Sequence, residues 1–128
     1  MSMTGLDGWH AYMASHDHAA LWELLHPDAV FESPVVHTPQ QGRDIVFKYL
    51  AAAEQVLGGP GFRYTNEWRH DTSAVLEFEN EIEGIKLNGV DIITFDGDGR
   101  ITRFKVMVRP LKAINLLHRM MGEQLARP

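Results

Sequence analysis

The chain has 128 residues, of which 45% are hydrophobic and 23% charged, as in globular proteins and unlike disordered or fibrous ones. Its net charge of -5 is opposite to the excess that binding of phosphate groups requires, so we expect no nucleic acid partner. Cysteine is absent, which excludes disulfides and thiol nucleophiles. No apolar run approaches the ~20 residues of a membrane span, and the N-terminus does not resemble a signal peptide. We therefore expect one cytoplasmic domain over residues 1–128, without membrane contact.

The first part of the chain is predicted to be mostly helical. Apolar residues at helical spacing indicate two short helices between residues 6 and 25, separated near Asp17, which is a good N-cap. Pro27 is expected to end the second helix. Residues 29–36 include several β-branched and aromatic residues, which favour a strand. An apolar stripe then predicts a helix from about Arg43 to Leu57, which the glycines of residues 58–61 terminate.

In the second part of the chain, hydrophobic and polar residues alternate with a period of two. Four strands are predicted over residues 62–70, 73–83, 85–95 and 101–109, and the short joins between them favour an antiparallel meander. A final amphipathic helix begins after Pro110. This order is typical of the α+β class. We expect a curved antiparallel sheet packed on three to four helices, which together form a cone that encloses a pocket.

Four segments resemble the SnoaL-like branch of the nuclear transport factor 2-like superfamily, whose fold is a cystatin-like cone. They are HPDAVFESPV at 26–35, GRDIVFKYL at 42–50, GVDIITFDGDGRITRF at 89–104 and VMVRPL at 106–111. Each segment is weakly specific, but their order and spacing match over nearly the whole chain. The superfamily includes ketosteroid isomerase, polyketide cyclases, dehydratases, epoxide hydrolases and members that only bind, so the fold alone does not imply a function.

The resemblance to ketosteroid isomerase can be followed residue by residue. That enzyme uses a carboxylate base after the first strand, together with a tyrosine and a carboxylic acid that bind the developing oxyanion. Here the base position is Ser33 and the tyrosine position is Trp9, which donates only through its indole N–H. Asp91 matches the acid. Two of the three positions therefore differ from the isomerase pattern.

Asp91 is also singled out by its own strand. It shares one strand face with Leu87, Gly89, Ile93 and Phe95, and burial on this apolar face should raise its pKa. Such a carboxyl group can donate to a ligand carbonyl or act as a general acid/base. Alternatively, Asp91 accepts a hydrogen bond and only organises the core.

Further pocket candidates lie on neighbouring elements. Strand alternation places several polar and aromatic residues on the face of Asp91, and one histidine follows the first strand at the expected pocket mouth. With Trp9 and Ser33, the candidates for binding a small apolar ligand are Tyr64, Asn66, Trp68, Phe78, Asn80, Phe104 and His37. Each aromatic residue taken singly is equally compatible with an ordinary core position.

Neither metal nor cofactor binding is indicated. The seven histidines are scattered without an HExxH motif, and the DGDG segment at 96–99 lacks the distal acidic ligand of a calcium loop, so we expect a hairpin turn there. No phosphate-binding loop or GxGxxG motif occurs.

Charges alternate on the opposite sheet face. Glu77, Glu79, Glu81 and Glu83 lie on one strand, Arg103, Lys105 and Arg109 lie two strands later, and Val90, Ile92 and Met107 lie among them. We expect a homodimer through this outer face, although an ordinary solvated face explains the same pattern.

Two hypotheses for function remain open. One is a cofactor-free acid/base enzyme acting on a hydrophobic carbonyl, hydroxyl or epoxide compound, and the other is a binding or interaction module without catalysis.

Overall fold

The computed structural model describes residues 5–127, so residues 1–4 and 128 of the expected domain lie outside the described part. Its elements are α1 (Gly5–Ser15), α2 (His18–Leu24), β1 (Leu25–Glu32), β2 (Gln40–Gln41), α3 (Arg43–Leu57), β3 (Arg63–His70), β4 (Ser73–Ile82), β5 (Ile85–Phe95), β6 (Ile101–Arg109) and α4 (Leu111–Leu125). The predicted α+β order is confirmed. Asp17 caps α2 as expected, because its side chain accepts a hydrogen bond of 3.0 Å from the backbone N–H of Ala19.

The six strands form one sheet in the order β2-β1-β6-β5-β4-β3. Strands β3 to β6 make the predicted antiparallel meander, and β1 pairs with β6 in parallel, so the predicted antiparallel sheet contains one parallel pair and is mixed as a whole. After α3 the chain enters the opposite edge of the sheet at β3, and the antiparallel meander then brings β6 beside β1 in the parallel direction.

The bounds of β1 also differ from the prediction. The strand begins at Leu25, before Pro27, and ends at Glu32 instead of reaching Val36. Its pairing with β6 is interrupted between Leu25 and Val30, and a proline, which has no backbone N–H, is tolerated within such an interruption. The strand can therefore pass through Pro27.

The inner face of the sheet packs against the helices and forms the core. Buried residues of α1, α3 and α4 meet those of the strands in a continuous cluster that includes Leu6, Val46, Leu76, Ile93, Phe104 and Ala113. Gly89 belongs to this face because an added Cβ would lie 2.6 Å from the ring of Phe78. Among residues 5–127, no helix is long and apolar enough to cross a membrane.

Strand β3 carries an irregularity that changes which side chains face the core. Tyr64 pairs with Phe78, whereas Asn66 pairs with Glu77, so Thr65 is an extra residue in β3. A β-bulge of this kind reverses the alternation of the residues that follow it. Tyr64 therefore faces inward, and Asn66 and Trp68 face outward with Glu77 and Val75.

Candidate functional site

An apolar cavity lies between the inner face of the sheet and helices α1 and α3. The centre of a water-sized sphere can reach about 50 Å³ within it, and its total empty space of about 450 Å³ includes open solvent. Its lining is mostly hydrophobic and comprises Trp9, Tyr12, Met13, Phe31, Leu50, Ala53, Glu54, Leu57, Gly58, Phe62, Tyr64, Phe78, Asp91, Phe104 and Val106. A concave apolar site with few polar groups is the usual form of a small-molecule site.

Asp91 occupies the sheet wall of this cavity. It lies in the middle of β5, where Leu76 of β4 and Val106 of β6 are its direct neighbours on either side. Only 7% of Asp91 is exposed. Burial raises its pKa from 3.8 to about 7, and a hydrogen bond from Tyr64 offsets the shift in part. The predicted upward shift therefore agrees with the environment of the carboxyl group.

Three side chains form a chain of hydrogen bonds that ends at Asp91. The indole Nε1–H of Trp9 donates to the hydroxyl oxygen of Tyr64 over 3.0 Å, and this hydroxyl donates to Oδ2 of Asp91 over 2.6 Å. Burial, followed by the charge of Asp91, raises the pKa of Tyr64, so its phenol remains a neutral donor. The bulge at Thr65 makes this contact possible because it leaves Tyr64 facing inward.

The proton count of this pair depends on the state of Asp91. When Asp91 is neutral, two acidic protons are shared between two groups, and one of them can be donated to an oxygen atom in the cavity. When Asp91 is ionised, the only proton of the pair is that of Tyr64, which is directed at the carboxylate. The neutral form therefore suits a ligand that accepts a hydrogen bond, such as a carbonyl.

A second carboxyl group lines the same cavity from the helix side, which the sequence analysis did not include. Glu54 on α3 accepts a hydrogen bond of 2.5 Å from the hydroxyl of Tyr12, and its side chain is 7% exposed. His16 and His18 lie 3.4 Å and 3.6 Å from its two oxygens. A signal for Glu54 was present, because it lies four residues after Leu50 within the apolar stripe of the helix.

Five predicted residues lie together at the cavity, namely Trp9, Tyr64, Phe78, Asp91 and Phe104. Ser33 does not belong to this group. Its Oγ accepts a hydrogen bond from the backbone N–H of Val35 over 3.0 Å, and it lines an adjoining apolar cavity beside α4. The two cavities share the walls formed by Phe31, Ala53, Leu57 and Val106. His37 is exposed and lines neither cavity, so its expected place at the mouth is wrong, because the chain leaves β1 at Glu32.

Three other predicted pocket residues also lie elsewhere. The bulge in β3 turns Asn66 outward, where it donates to Glu77 over 2.9 Å, and Trp68 is 55% exposed. Asn80 is buried but has a structural role, because its amide donates to the backbone carbonyl of Leu57 over 2.7 Å. This hydrogen bond satisfies a free carbonyl at the end of α3.

The comparisons with known proteins agree with this architecture. Residues 6–104 match the model of the SnoaL-like domain family. A steroid delta-isomerase from Pseudomonas aeruginosa is 40% identical, with 95% of this chain and 89% of that chain covered and a TM-score of 0.89. An uncharacterised protein with a cystatin-like fold from Silicibacter pomeroyi is 28% identical, with coverages of 94% and 84% and a TM-score of 0.85.

A third similarity concerns the fold alone. An NTF2-like protein from Mesorhizobium loti is 22% identical, with 83% of this chain and 88% of that chain covered and a TM-score of 0.70. A search of curated protein sequences found no match. The family match covers most of the chain, and the mixed sheet with its helices has the NTF2-like arrangement. The chain belongs to the SnoaL-like domain family, within the group of proteins with the nuclear transport factor 2-like fold.

Proposed function

We propose that the protein binds a small hydrophobic compound through a carbonyl oxygen and promotes acid/base chemistry on it, of the isomerase type. The observation that carries this proposal is the pair formed by Tyr64 and Asp91, in which a tyrosine hydroxyl meets a buried carboxyl group on the wall of an apolar cavity. No organic cofactor is needed for this chemistry, because proton donation to the oxygen comes from the side chains themselves.

The chemistry follows from the neutral form of Asp91. A carboxylic acid that donates a hydrogen bond to a carbonyl stabilises the negative charge that develops on its oxygen when an adjacent C–H proton is removed. The apolar surroundings strengthen this interaction because they exclude water. Trp9 contributes by occupying one lone pair of the Tyr64 hydroxyl, which keeps the phenol oriented toward Asp91.

The similarity to a steroid delta-isomerase supports an enzymatic role. The identity of 40% extends over 95% of this chain, so the relationship is much closer than a shared fold. A delta-isomerase moves a double bond relative to a carbonyl, which is a reaction of the proposed type. The substrate class of this protein is therefore proposed to be hydrophobic ketones.

A second candidate function is ligand binding without turnover. It is favoured by Ser33, which stands where ketosteroid isomerase has its catalytic base. A serine cannot by itself remove a carbon-bound proton. Ser33 also lines the adjoining cavity instead of the cavity of Asp91. The two functions differ in whether a ketone held at Asp91 loses a proton to the protein.

The binding step is tested with β-tetralone, a small bicyclic ketone, titrated while the indole N–H resonance of Trp9 is followed by NMR. Because the pKa of Asp91 is about 7, its neutral fraction falls with rising pH, and the affinity should fall about tenfold between about pH 6 and about pH 8. Asp91→Asn should abolish this pH dependence, whereas Asp98→Asn, in an exposed turn, should preserve it. An affinity of wild-type protein that is constant with pH contradicts the proposal.

We also propose that the outer sheet face forms a homodimer. The bulge in β3 adds Trp68 to this face, and the register places Trp68, Val75 and Ile92 in one row across three strands, next to the row of Val90 and Met107. Trp68 and Met107 are 55% and 51% exposed. An exposed apolar patch of this kind is typical of an interaction surface.

A further inference from the structure

Glu54 is a buried carboxylate that the binding of a carbonyl at Asp91 does not use. It faces the cavity from α3, whereas Asp91 faces it from β5, so the two carboxyl groups belong to the helix wall and the sheet wall of one cavity. A carboxylate within an apolar helix stripe carries a desolvation cost. Its place on the cavity wall makes it available to a ligand there.

The partners of Glu54 hold it as an acceptor. Tyr12 donates to one oxygen at 2.5 Å, and Gln55 donates to the other at 3.2 Å. Burial, together with the hydrogen bond to Glu54 and its negative charge, raises the pKa of Tyr12 far above the usual value, so Tyr12 stays a protonated donor. His16 and His18 add positive charge when they are protonated.

Asp91 has the opposite environment. Its described side-chain partner is the hydroxyl of Tyr64, and its neighbours in the sheet, Leu76 and Val106, are apolar. Two carboxyl groups in one site can divide the acid and base roles when their surroundings differ, as the hydrogen-bond donors and histidines around Glu54 differ from the apolar neighbours of Asp91.

We propose that Glu54 is the general base of the cavity and removes a proton from the carbon next to a ketone carbonyl that is held at Asp91. This inference rests on the proposed function. Glu54 takes the proton, the C–H electron pair forms the C=C bond of an enol, and the carbonyl π pair moves to the oxygen, which accepts the proton of Asp91. Where the ketone has a C=C bond next to that carbon, the enol is a dienol, and return of the proton from Glu54 to its far carbon, with the oxygen proton returned to Asp91, moves the double bond into conjugation and completes an isomerisation.

The two histidines connect this base with solvent. The side chains of His16 and His18 are 49% and 48% exposed, and both lie within 4.0 Å of Glu54. A proton taken up by Glu54 can therefore exchange with water through either imidazole. Removal of a carbon-bound proton is thus expected to appear as incorporation of deuterium from heavy water.

The experiment measures exchange of the methylene protons between the carbonyl and the ring of β-tetralone in heavy water, by proton NMR. Glu54→Gln keeps an acceptor for Tyr12 but removes the base, so the protein-dependent exchange rate should fall at least about a hundredfold. The affinity for β-tetralone, read from the Trp9 indole resonance, should stay unchanged. Glu123→Gln, the same substitution at a carboxylate that is 61% exposed on α4, is the matched control and should keep wild-type exchange.

Melting curves show whether Glu54→Gln is folded. Should it unfold, Glu54→Asp replaces it, because a carboxylate withdrawn by one methylene should slow exchange without weakening ketone binding. If the folded variant exchanges the protons of β-tetralone at the wild-type rate, Glu54 is not the base. The proposed function then still stands if β-tetralone binds at Asp91 with the expected pH dependence. Absence of β-tetralone binding to wild-type protein overturns both.

Discussion

The cavity contains two tyrosine–carboxyl pairs that look alike and differ in their surroundings. Tyr64 donates to Asp91 at 2.6 Å, and Tyr12 donates to Glu54 at 2.5 Å. Asp91 lies within a strand whose neighbours are apolar, whereas Glu54 lies at the junction of α1, α2 and α3 beside two half-exposed histidines. The same hydrogen bond therefore operates in two electrostatic environments.

The difference shows what decides the state of a buried carboxyl group. A single phenol does not compensate for the loss of water around Asp91, so desolvation dominates and raises its pKa to about 7. The carboxyl group of Glu54 has several donors and access to exposed imidazoles. A shared cavity can in this way contain a proton donor on one wall and an acceptor on the other.

The largest expected effect concerns the stability cost of Asp91. Its folded-state pKa is above the unfolded value of 3.8, so its neutral form stabilises the fold at low pH and this contribution is lost as pH rises toward and past about 7. At pH values above the folded pKa of Asp91, Asp91→Asn should therefore have a free energy of unfolding about 4 kcal/mol higher than that of wild type. It should have little effect below the unfolded pKa. Urea denaturation over this pH range measures the difference.

A control for this effect is Asp98→Asn, because Asp98 lies exposed in the turn between β5 and β6. Its unfolding free energy should follow the wild-type pH curve. Parallel pH curves for wild type and Asp91→Asn would show that Asp91 is ionised in the folded protein at neutral pH, and the contrast between the two pairs would disappear.

A smaller effect separates the two tyrosines. The hydrogen bond from Tyr64 lowers the pKa of Asp91, so Tyr64→Phe should raise that pKa further above its usual range. Tyr12→Phe removes the corresponding hydroxyl from Glu54 and should leave the titration of Asp91 unchanged. Titration of the Asp91 carboxyl carbon by NMR measures both variants. Equal shifts in the two would mean that the pairs are coupled through the cavity.

Much of the fold follows from local patterns in the sequence. The bounds of α3, β5 and β6 agree with the structure because each has a clear period and a glycine or proline at an end. The parallel pairing of β1 with β6 was not predictable, because it depends on the order in which distant strands join the sheet and not on a local pattern within β1.

The candidate site was predictable where a strand alternates cleanly, and was mispredicted where it does not. Asp91 stands out because β5 alternates without interruption. Strand β3 is polar on both faces, so its hydrophobic pattern contained no signal for the bulge at Thr65 that moved Asn66 and Trp68 outward. Glu54 was not predicted because a glutamate is usually solvated even where it lies within an apolar helix stripe. Its burial depends on Tyr12, His16 and His18, which cover it from α1, α2 and the turn between them.

The smallest expected effect concerns the charges of the proposed dimer, which contrast with the charges inside the cavity. Arg103 and Lys105 already lie 2.7 Å and 3.5 Å from Glu32 of their own chain, and Glu77 accepts hydrogen bonds from Asn66 and Asn88. Glu83, expected in the acidic stripe, lies beyond the end of β4 and pairs with Arg119 at 2.7 Å, because the strand ends at Ile82. Fewer charges than expected are therefore left for a partner.

Arg103→Glu should consequently weaken dimerisation only a little, by about 0 to 1 kcal/mol, because exposed ion pairs contribute no more than this. Ile92→Lys places a charge in the centre of the apolar patch and is the positive control, for which a monomer is expected. Sedimentation velocity at several protein concentrations measures both. A dimer that survives Ile92→Lys but is lost in Arg103→Glu would mean that the outer charges, and not the apolar row with Trp68, hold the subunits together.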